Sequence, residues 1–274
     1  MPTSSDSAAE GSSAALSVEG LGAGYGGELV VREIFMSVRP GQIVSVVGPN
    51  GSGKSTLLKA ITNVIAVSEG KVFLRGKDVT NIGTDALTKR GVGYVPQLND
   101  VFPPLTVQEN LEAGAYLLPK KEVRAAMDRV FDIFPQLATM RRRAAGRLSG
   151  GERKMLAVGR ALMVAPPVLI LDEPTANLSP ALARVVLGEY VRKLGEEGVA
   201  VLLVEQRARE ALAVSQWGHV LVAGRTAVSG KASELAARGD IGQLFLGRVR
   251  QSATDFAASD GDSQSEIAVK DTAP

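Results

Sequence analysis

Short apolar runs alternate with amphipathic stretches along most of the chain. "IVSVV" (43–47), "VLIL" (168–171), "VAVLLV" (199–204) and "HVLVA" (219–223) are bounded by glycine, proline or polar residues. Runs of this length and composition predict buried strands, and the helical periodicity between them predicts a parallel sheet covered by helices. The N-terminal part reads differently. "LSVEGL", "LVVREIFMSV" and "GKVFLRGKDV" carry strand signals bounded by turn residues and predict an antiparallel β subdomain. From about 106 to 164 the pattern is helical with no strand signal, which predicts a helical subdomain, about 98–165, inserted in an α/β domain. There is no internal repeat.

Composition narrows the picture. A chain of 274 residues with 45% hydrophobic content can bury the core of one α/β domain and leaves room for a small subdomain. The formal net charge is only +2, and the arginines of "MRRRAAGRLSGGERK" have no aromatics between them. Nucleic-acid binding needs clustered positive charge with stacking platforms, so no nucleic-acid partner is expected, and the arginines read as a solvated face near an anion site. The absence of cysteine excludes disulfides and thiolate metal sites and fits a reducing compartment. The first fourteen residues lack the basic start and apolar run of a signal peptide, and they and the Ser/Ala/Asp-rich 250–274 are expected to be disordered tails around a domain at 15–249. The most apolar stretch, "ALMVAPPVLIL" (161–171), falls short of the ~20 residues of a membrane span and is broken by Pro166 and Pro167. A soluble protein follows, tied to any membrane through a partner.

Three stretches carry chemistry. "GPNGSGKST" comprises Gly48, Pro49, Asn50, Gly51, Ser52, Gly53, Lys54, Ser55 and Thr56, between a predicted strand and a helical segment, and matches G-x-x-x-x-G-K-[ST]. The glycines let successive N–H groups turn toward phosphate oxygens, Lys54 reaches the β and γ phosphates, and the Ser55 hydroxyl can ligate Mg²⁺. Its alternative is a Gly/Ser-rich turn that happens to precede a lysine. "VLILDEP" places Asp172 and Glu173 at the end of an apolar strand. Paired carboxylates there either face a metal and a reacting water, with Asp172 supporting Mg²⁺ and Glu173 acting as base, or simply mark a strand end that meets solvent. In "LSGGE" (148–152), Ser149 is a good N-cap, and Gly150 and Gly151 expose N–H groups at a positive helix end. One chain that already has a P-loop has no obvious use for this second anion site.

In this order and spacing, "GPNGSGKST", "LSGGE" and "VLILDEP" resemble the ATP-binding subunits of ABC transporters, over roughly 16–247. The resemblance implies a P-loop NTPase core that uses ATP and Mg²⁺, with two subunits meeting head to tail. Ser149, Gly150 and Gly151 of one would then close over the γ-phosphate of the ATP held by the other. It also implies that Tyr25 in "GAGYGG" stacks on adenine, the alternative being an ordinary tyrosine in a Gly-rich turn, and that Gln97 in "GYVPQ" joins the metal site, with Ser55 and Asp172, to the helical subdomain.

"VFPPLTVQENL", the short helical insertion, "GRALM" and "VEQ" are similar, more narrowly, to the shorter ATPase of importers for branched-chain amino acids and related amide or urea compounds. That similarity implies transmembrane permease subunits, a second ATPase subunit in a homo- or heterodimer, an indirect link to a solute-binding protein, and a peripheral place on the cytoplasmic face of the cell membrane. Rival readings are an exporter ATPase for lipid or polysaccharide, and a soluble ABC protein acting on nucleic acid or ribosomes. The last typically carries a long coiled-coil insertion or two cassettes, neither of which is present. Phe102 and Leu105 are either a permease-facing pair or core of the helical subdomain. Two positions depart from the wider family: Gln206 stands where most members have histidine, and Ser179 where many have an aspartate that communicates between the two sites. The Gln206 amide can donate a neutral hydrogen bond to the γ-phosphate. Glu205 reads as a structural contact, and His219, thirteen residues farther on, as a structural or surface residue rather than a substitute for the missing histidine.

Overall fold

The computed structural model describes residues 14–98, 100–238 and 242. The expected tails lie outside these residues except for Ala14, which is buried. β1 (Leu16–Tyr25) turns directly into β2 (Glu28–Val38) through Gly26 and Gly27, both at positive φ, the backbone that a two-residue hairpin requires. β3 (Ile43–Val47) follows and is buried throughout. β4 (Val67–Leu74) and the short β5 (Lys77–Asp78) then close an antiparallel sheet of order β2-β1-β4-β5, the expected N-terminal subdomain.

The second sheet has six strands, in the order β10-β9-β3-β8-β7-β6, with β6 (Val92–Val95), β7 (Val168–Asp172), β8 (Ala200–Glu205), β9 (Trp217–Val222) and β10 (Arg225–Lys231). β9, β3, β8, β7 and β6 run parallel, as the alternation of strand and helix predicted, and β10 adds an antiparallel edge. β6 and β10 escape the hydrophobic pattern for different reasons. β6 is four residues long with a glycine inside, and β10 alternates exposed and half-buried positions as an edge strand does.

Strand alternation divides the core. On β8, Val201 and Leu203 face the helical insertion, while Ala200, Leu202 and Val204 face the antiparallel sheet and the helix Lys54–Ile61. The insertion is helical as expected: Val107–Gly114 starts on a Thr106/Glu109 capping box, and Lys120–Ile133, Pro135–Thr139 and Gly150–Leu162 follow. Met155, Leu156, Leu162 and Met163 are all buried. Phe134 meets Tyr190 edge to face at 5.2 Å, which ties the insertion to a π-helical turn, Val186–Val191, in the long helical stretch after β7. No helix among the described residues is long and apolar enough to cross a membrane.

His219 lies on β9 between Val46 and Ser229, buried, with neither ring nitrogen hydrogen-bonded. Burial without a partner pushes its pKa down to about 4. A depressed folded-state pKa means the unfolded chain binds the proton first, so stability falls as pH drops from the ordinary histidine range toward 4. His219→Leu removes that loss. Chemical denaturation of both proteins between pH 7 and 4 should show the variant gaining on the wild type by up to ~3 kcal/mol at the acid end. A difference that does not change with pH would contradict the buried neutral imidazole.

Candidate active site

Parallel register brings the chemistry to one edge. Val47 at the end of β3 sits opposite Glu205, Val204 opposite Asp172, and Leu171 opposite Val95, so the segments leaving four strands emerge side by side. Ligands of parallel α/β sheets bind at this carboxyl edge. The P-loop leaves β3 there. A side chain on Gly48 would come within 2.3 Å of the Leu221 carbonyl, and one on Gly53, at φ 102°, within 2.7 Å of Val31, so both positions demand glycine. The loop is braced from outside: Ser52 O accepts from Gly224 N (2.9 Å), and Gly224 O accepts from Arg32 N (2.9 Å) on β2. The turn between β9 and β10 thus links the loop to the antiparallel sheet.

Lys54 opens the helix Lys54–Ile61 yet is only 5% exposed. Its ammonium donates to the carbonyls of Gly48 (2.9 Å) and Pro49 (3.1 Å) and lies 3.4 Å from Glu173 Oε1. The cation is therefore held across the mouth of the loop, with one carboxylate as counter-charge. Ser52 Oγ is buried there with no hydrogen-bond partner, while Ser55 is exposed and Thr56 buried. An orphaned hydroxyl and a buried ammonium at the start of a helix are donors suited to phosphate.

The two carboxylates are not equivalent. Asp172 accepts from Tyr94 OH (3.0 Å), and burial pushes its pKa above the usual carboxylate range. Glu173 has left the strand at positive φ (42°), its N–H donating to Val204 O (2.9 Å), and its side chain meets Lys54 on one oxygen and Gln97 Nε2 (2.9 Å) on the other. Glu205, 1% exposed, accepts from Thr175 N (2.9 Å) and Thr175 Oγ1 (2.7 Å). That is the structural contact expected of it. Gln206 comes one residue later, exposed, just past the last paired position, where Glu205 sits opposite Val47.

Gln97 reaches both ways. Its side chain holds Glu173, and its carbonyl accepts from Lys154 Nζ (3.4 Å) on the helix Gly150–Leu162. Lys154 is buried and paired with Asp100 at 2.5 Å. Neither Lys154 nor Asp100 stands out in the sequence, because neither belongs to a motif and only the fold pairs them. Tyr94 was missed for the same reason that β6 was. Tyr25 ends β1 at 49% exposure, and Lys59 from the P-loop helix approaches its hydroxyl (3.4 Å) and ring (5.8 Å from the centroid).

Ser149 caps the helix Gly150–Leu162 in a full capping box: its Oγ accepts from Glu152 N (3.3 Å), and Glu152 Oε2 accepts from Ser149 N (2.7 Å). Hydrogen bonding from the Ser149 N–H holds the Glu152 carboxyl below its ordinary value. Capping leaves the Gly150 and Gly151 N–H groups at the helix end without an intrahelical acceptor. Ser179 is likewise an N-cap, accepting from Leu182 N (3.3 Å). Phe102 is 49% exposed with the Arg160 guanidinium 4.8 Å from its ring centroid, so it is not a core residue, while Leu105 is half-buried. A cleft of about 740 Å³ between Pro40, Ile133, Pro167 and Val199 lies at the opposite edge of the sheet and contains none of these residues.

No group of three or more His, Asp or Glu among the described residues could hold a metal on its own. Ser55, Asp172 and Gln97 offer oxygens only, which fits a hard cation that takes the rest of its shell from phosphate and water.

Comparisons with known proteins agree with this geometry. The family model described as ABC transporter matches residues 31–176, more than half of the chain. The chain is 42% identical, over 84% of its length and 97% of the relative's, to the "Probable branched-chain amino acid transport ATP-binding protein LivF" of Archaeoglobus fulgidus. It is 34% identical, over 81% and 95%, to the "High-affinity branched-chain amino acid transport ATP-binding protein BraG" of Pseudomonas aeruginosa. A "Lipopolysaccharide export system ATP-binding protein LptB" of Escherichia coli is 28% identical over 85% and 98%. Among solved structures, an ABC transporter ATP-binding cassette in its ADP conformation superposes with a TM-score of 0.77 at 27% identity, covering 85% of this chain and 99% of that one. A bacterial cassette solved as a dimer gives 0.68 at 25%, covering 79% and 98%. The phosphate cradle, the paired carboxylates at the neighbouring strand end and these matches lead to one conclusion: the chain belongs to the ABC transporter family, as an ATP-hydrolysing ATP-binding subunit.

Proposed function

We propose that this chain hydrolyses MgATP as one half of a head-to-tail ATPase pair and so drives an importer for branched-chain amino acids or related amide compounds, on the cytoplasmic face of the membrane. The observation that carries the importer reading is the 42% identity, across nearly the whole relative, to a protein named for branched-chain amino acid transport. The export reading rests on a relative at 28% identity and is the second choice. Permease subunits and a second ATPase are the direct partners, and Phe102, exposed beside the Gln97 segment, is offered to the permease.

In the chemistry proposed, Tyr25 stacks on adenine, and the N–H groups of Gly48 to Thr56 surround the phosphates. Lys54 shifts from the loop carbonyls and Glu173 onto the β and γ oxygens. Ser55, Asp172 and Gln97 would hold Mg²⁺, which neutralises charge on those oxygens when bound. Losing the Lys54 contact frees Glu173 to take the proton of the attacking water. The water oxygen bonds to the γ phosphorus, the bond to the β–γ bridging oxygen breaks, and ADP leaves with its charge stabilised by Lys54 and the loop. Gln206 donates a neutral hydrogen bond to the γ-phosphate. Gly150 and Gly151 of the partner subunit, with its Ser149 hydroxyl proton, close the site from the other side.

Lys54→Ala should lose nucleotide binding and transport together, and calorimetry with MgATP checks it; unchanged affinity would overturn the P-loop assignment. Glu173→Gln keeps the shape but removes the base, so turnover should fall about 10²-fold or more while ATP stays bound. Light scattering should then find an ATP-dependent dimer. If the variant remains a monomer with ATP, both alone and mixed with the second ATPase, the trans role of Ser149, Gly150 and Gly151 is wrong. Gln206→Ala should lower kcat about 10-fold, the loss of one hydrogen bond to a charged group. Gln206→His should restore turnover or exceed it. Equal rates for all three proteins, alone and mixed with a histidine-bearing partner ATPase, would reduce Gln206 to the end of a strand.

A further inference from the structure

Gln206 lies between two residues that grip the same neighbouring loop. On one side, Glu205 takes both the N–H and the hydroxyl of Thr175. On the other, Arg207 Nη2 donates to Leu178 O at 2.9 Å. Thr175 is fully buried, and Leu178 is 9% exposed. The segment from Thr175 to Ser179 is therefore pinned near both ends by the residues flanking Gln206, and any movement of that strand end carries the segment with it.

Beyond Leu178, the segment touches the other half of the chemistry. A side chain on Gly150 would come within 2.9 Å of Leu178 Cδ2, and one on Gly151 within 3.3 Å of Leu182 Cδ2. Leu178 and Leu182 therefore lie against the same N–H-bearing helix start that is offered to a partner's nucleotide. Ser179, one residue on from Leu178, is occupied in capping its own helix. A route between the two kinds of site therefore runs from Gln206 through Arg207 and Leu178 to Gly150, with no acidic residue in it.

We propose that Arg207 is a positioning residue that couples the two nucleotide sites of the dimer, by holding the Leu178 carbonyl so that the strand end bearing Gln206 and the helix start bearing Gly150 move as one. This rests on the paired-ATPase reading above. The bond is a single charge-assisted N–H to a carbonyl, which lysine can also supply, whereas methionine keeps the apolar stem and loses the donor.

The test uses the purified full-length chain, alone and with its partner ATPase, as wild type, Arg207→Lys and Arg207→Met. ATP-dependent turnover of the wild type should be cooperative, with a Hill coefficient above 1. Arg207→Met should bring the Hill coefficient to about 1 and lower kcat about 10-fold, while its affinity for MgADP stays within about twofold, because the bond lost is not one to nucleotide. Arg207→Lys should recover most of both. In a Glu173→Gln background, Arg207→Met should also raise the ATP concentration needed for half-maximal dimerisation. Wild-type cooperativity and kcat in Arg207→Met would overturn the proposal. If that variant does not fold, Arg207→Lys decides: a Hill coefficient near 1 for it would overturn the proposal. Failure of the Glu173→Gln protein to dimerise with ATP, both alone and with its partner ATPase, would bring down the paired reading instead, and the two results are separately visible.

Discussion

The buried ammonium of Lys54 is the constraint around which the site is organised. A cation at 5% exposure must be compensated, and the protein supplies two loop carbonyls and one oxygen of Glu173, none of them an exclusive partner. That arrangement satisfies the charge without trapping it. A polyphosphate offers better compensation than carbonyl oxygens, so in the chemistry proposed above Lys54 exchanges partners when nucleotide arrives, and that exchange would release Glu173. In that reading one ion pair serves both as structural support for the loop and as a hold on the proposed base.

Glu173 in turn connects this event to the rest of the molecule. Gln97 donates to its second oxygen and, through its own carbonyl, receives Lys154 from the helix that begins at the glycine pair. The Lys154–Asp100 pair beside it is nearly dry, so that removing either partner would leave an uncompensated buried charge, at a cost of ~3–5 kcal/mol. A contact that costly to break makes the helical insertion follow the segment after β6 rather than drift from it. Arg207 and Glu205 form a second connection on the other side of Glu173, through hydrogen bonds to the segment Thr175–Ser179. The helix start is therefore reached by two routes, one ionic and one through packed leucines.

Much of this was legible in the residues themselves. The glycines and lysine of "GPNGSGKST", the carboxylates after "VLIL" and the serine cap before Gly150 each depend on a local pattern of backbone geometry and hydrophobic period, and such patterns are written contiguously in the chain. The departures at Gln206 and Ser179 were readable too, as positions. What Ser179 does instead, capping a helix, needed the backbone on either side of it. Lys154, Asp100 and Arg207 carried no signal because an isolated charged residue looks like solvent-facing surface until a partner from another element is placed against it, and Tyr94 carried none because its strand is short and holds a glycine.

The hydrophobic period determined which segments become strands and helices, and Gly, Lys and Ser at fixed spacing determined where phosphate can be held, since both follow from interactions between near neighbours. Tertiary structure alone decided that β6 and β10 join the sheet, because a short glycine-bearing strand and a half-exposed edge strand gain their stability from ladder hydrogen bonds with neighbours rather than from their own pattern. It also decided that His219 is buried without a hydrogen bond and that Arg207 grips Leu178, because both depend on which strand lies next to which: parallel register, set by long-range pairing, fixes where each strand ends and so which side chains meet at the carboxyl edge.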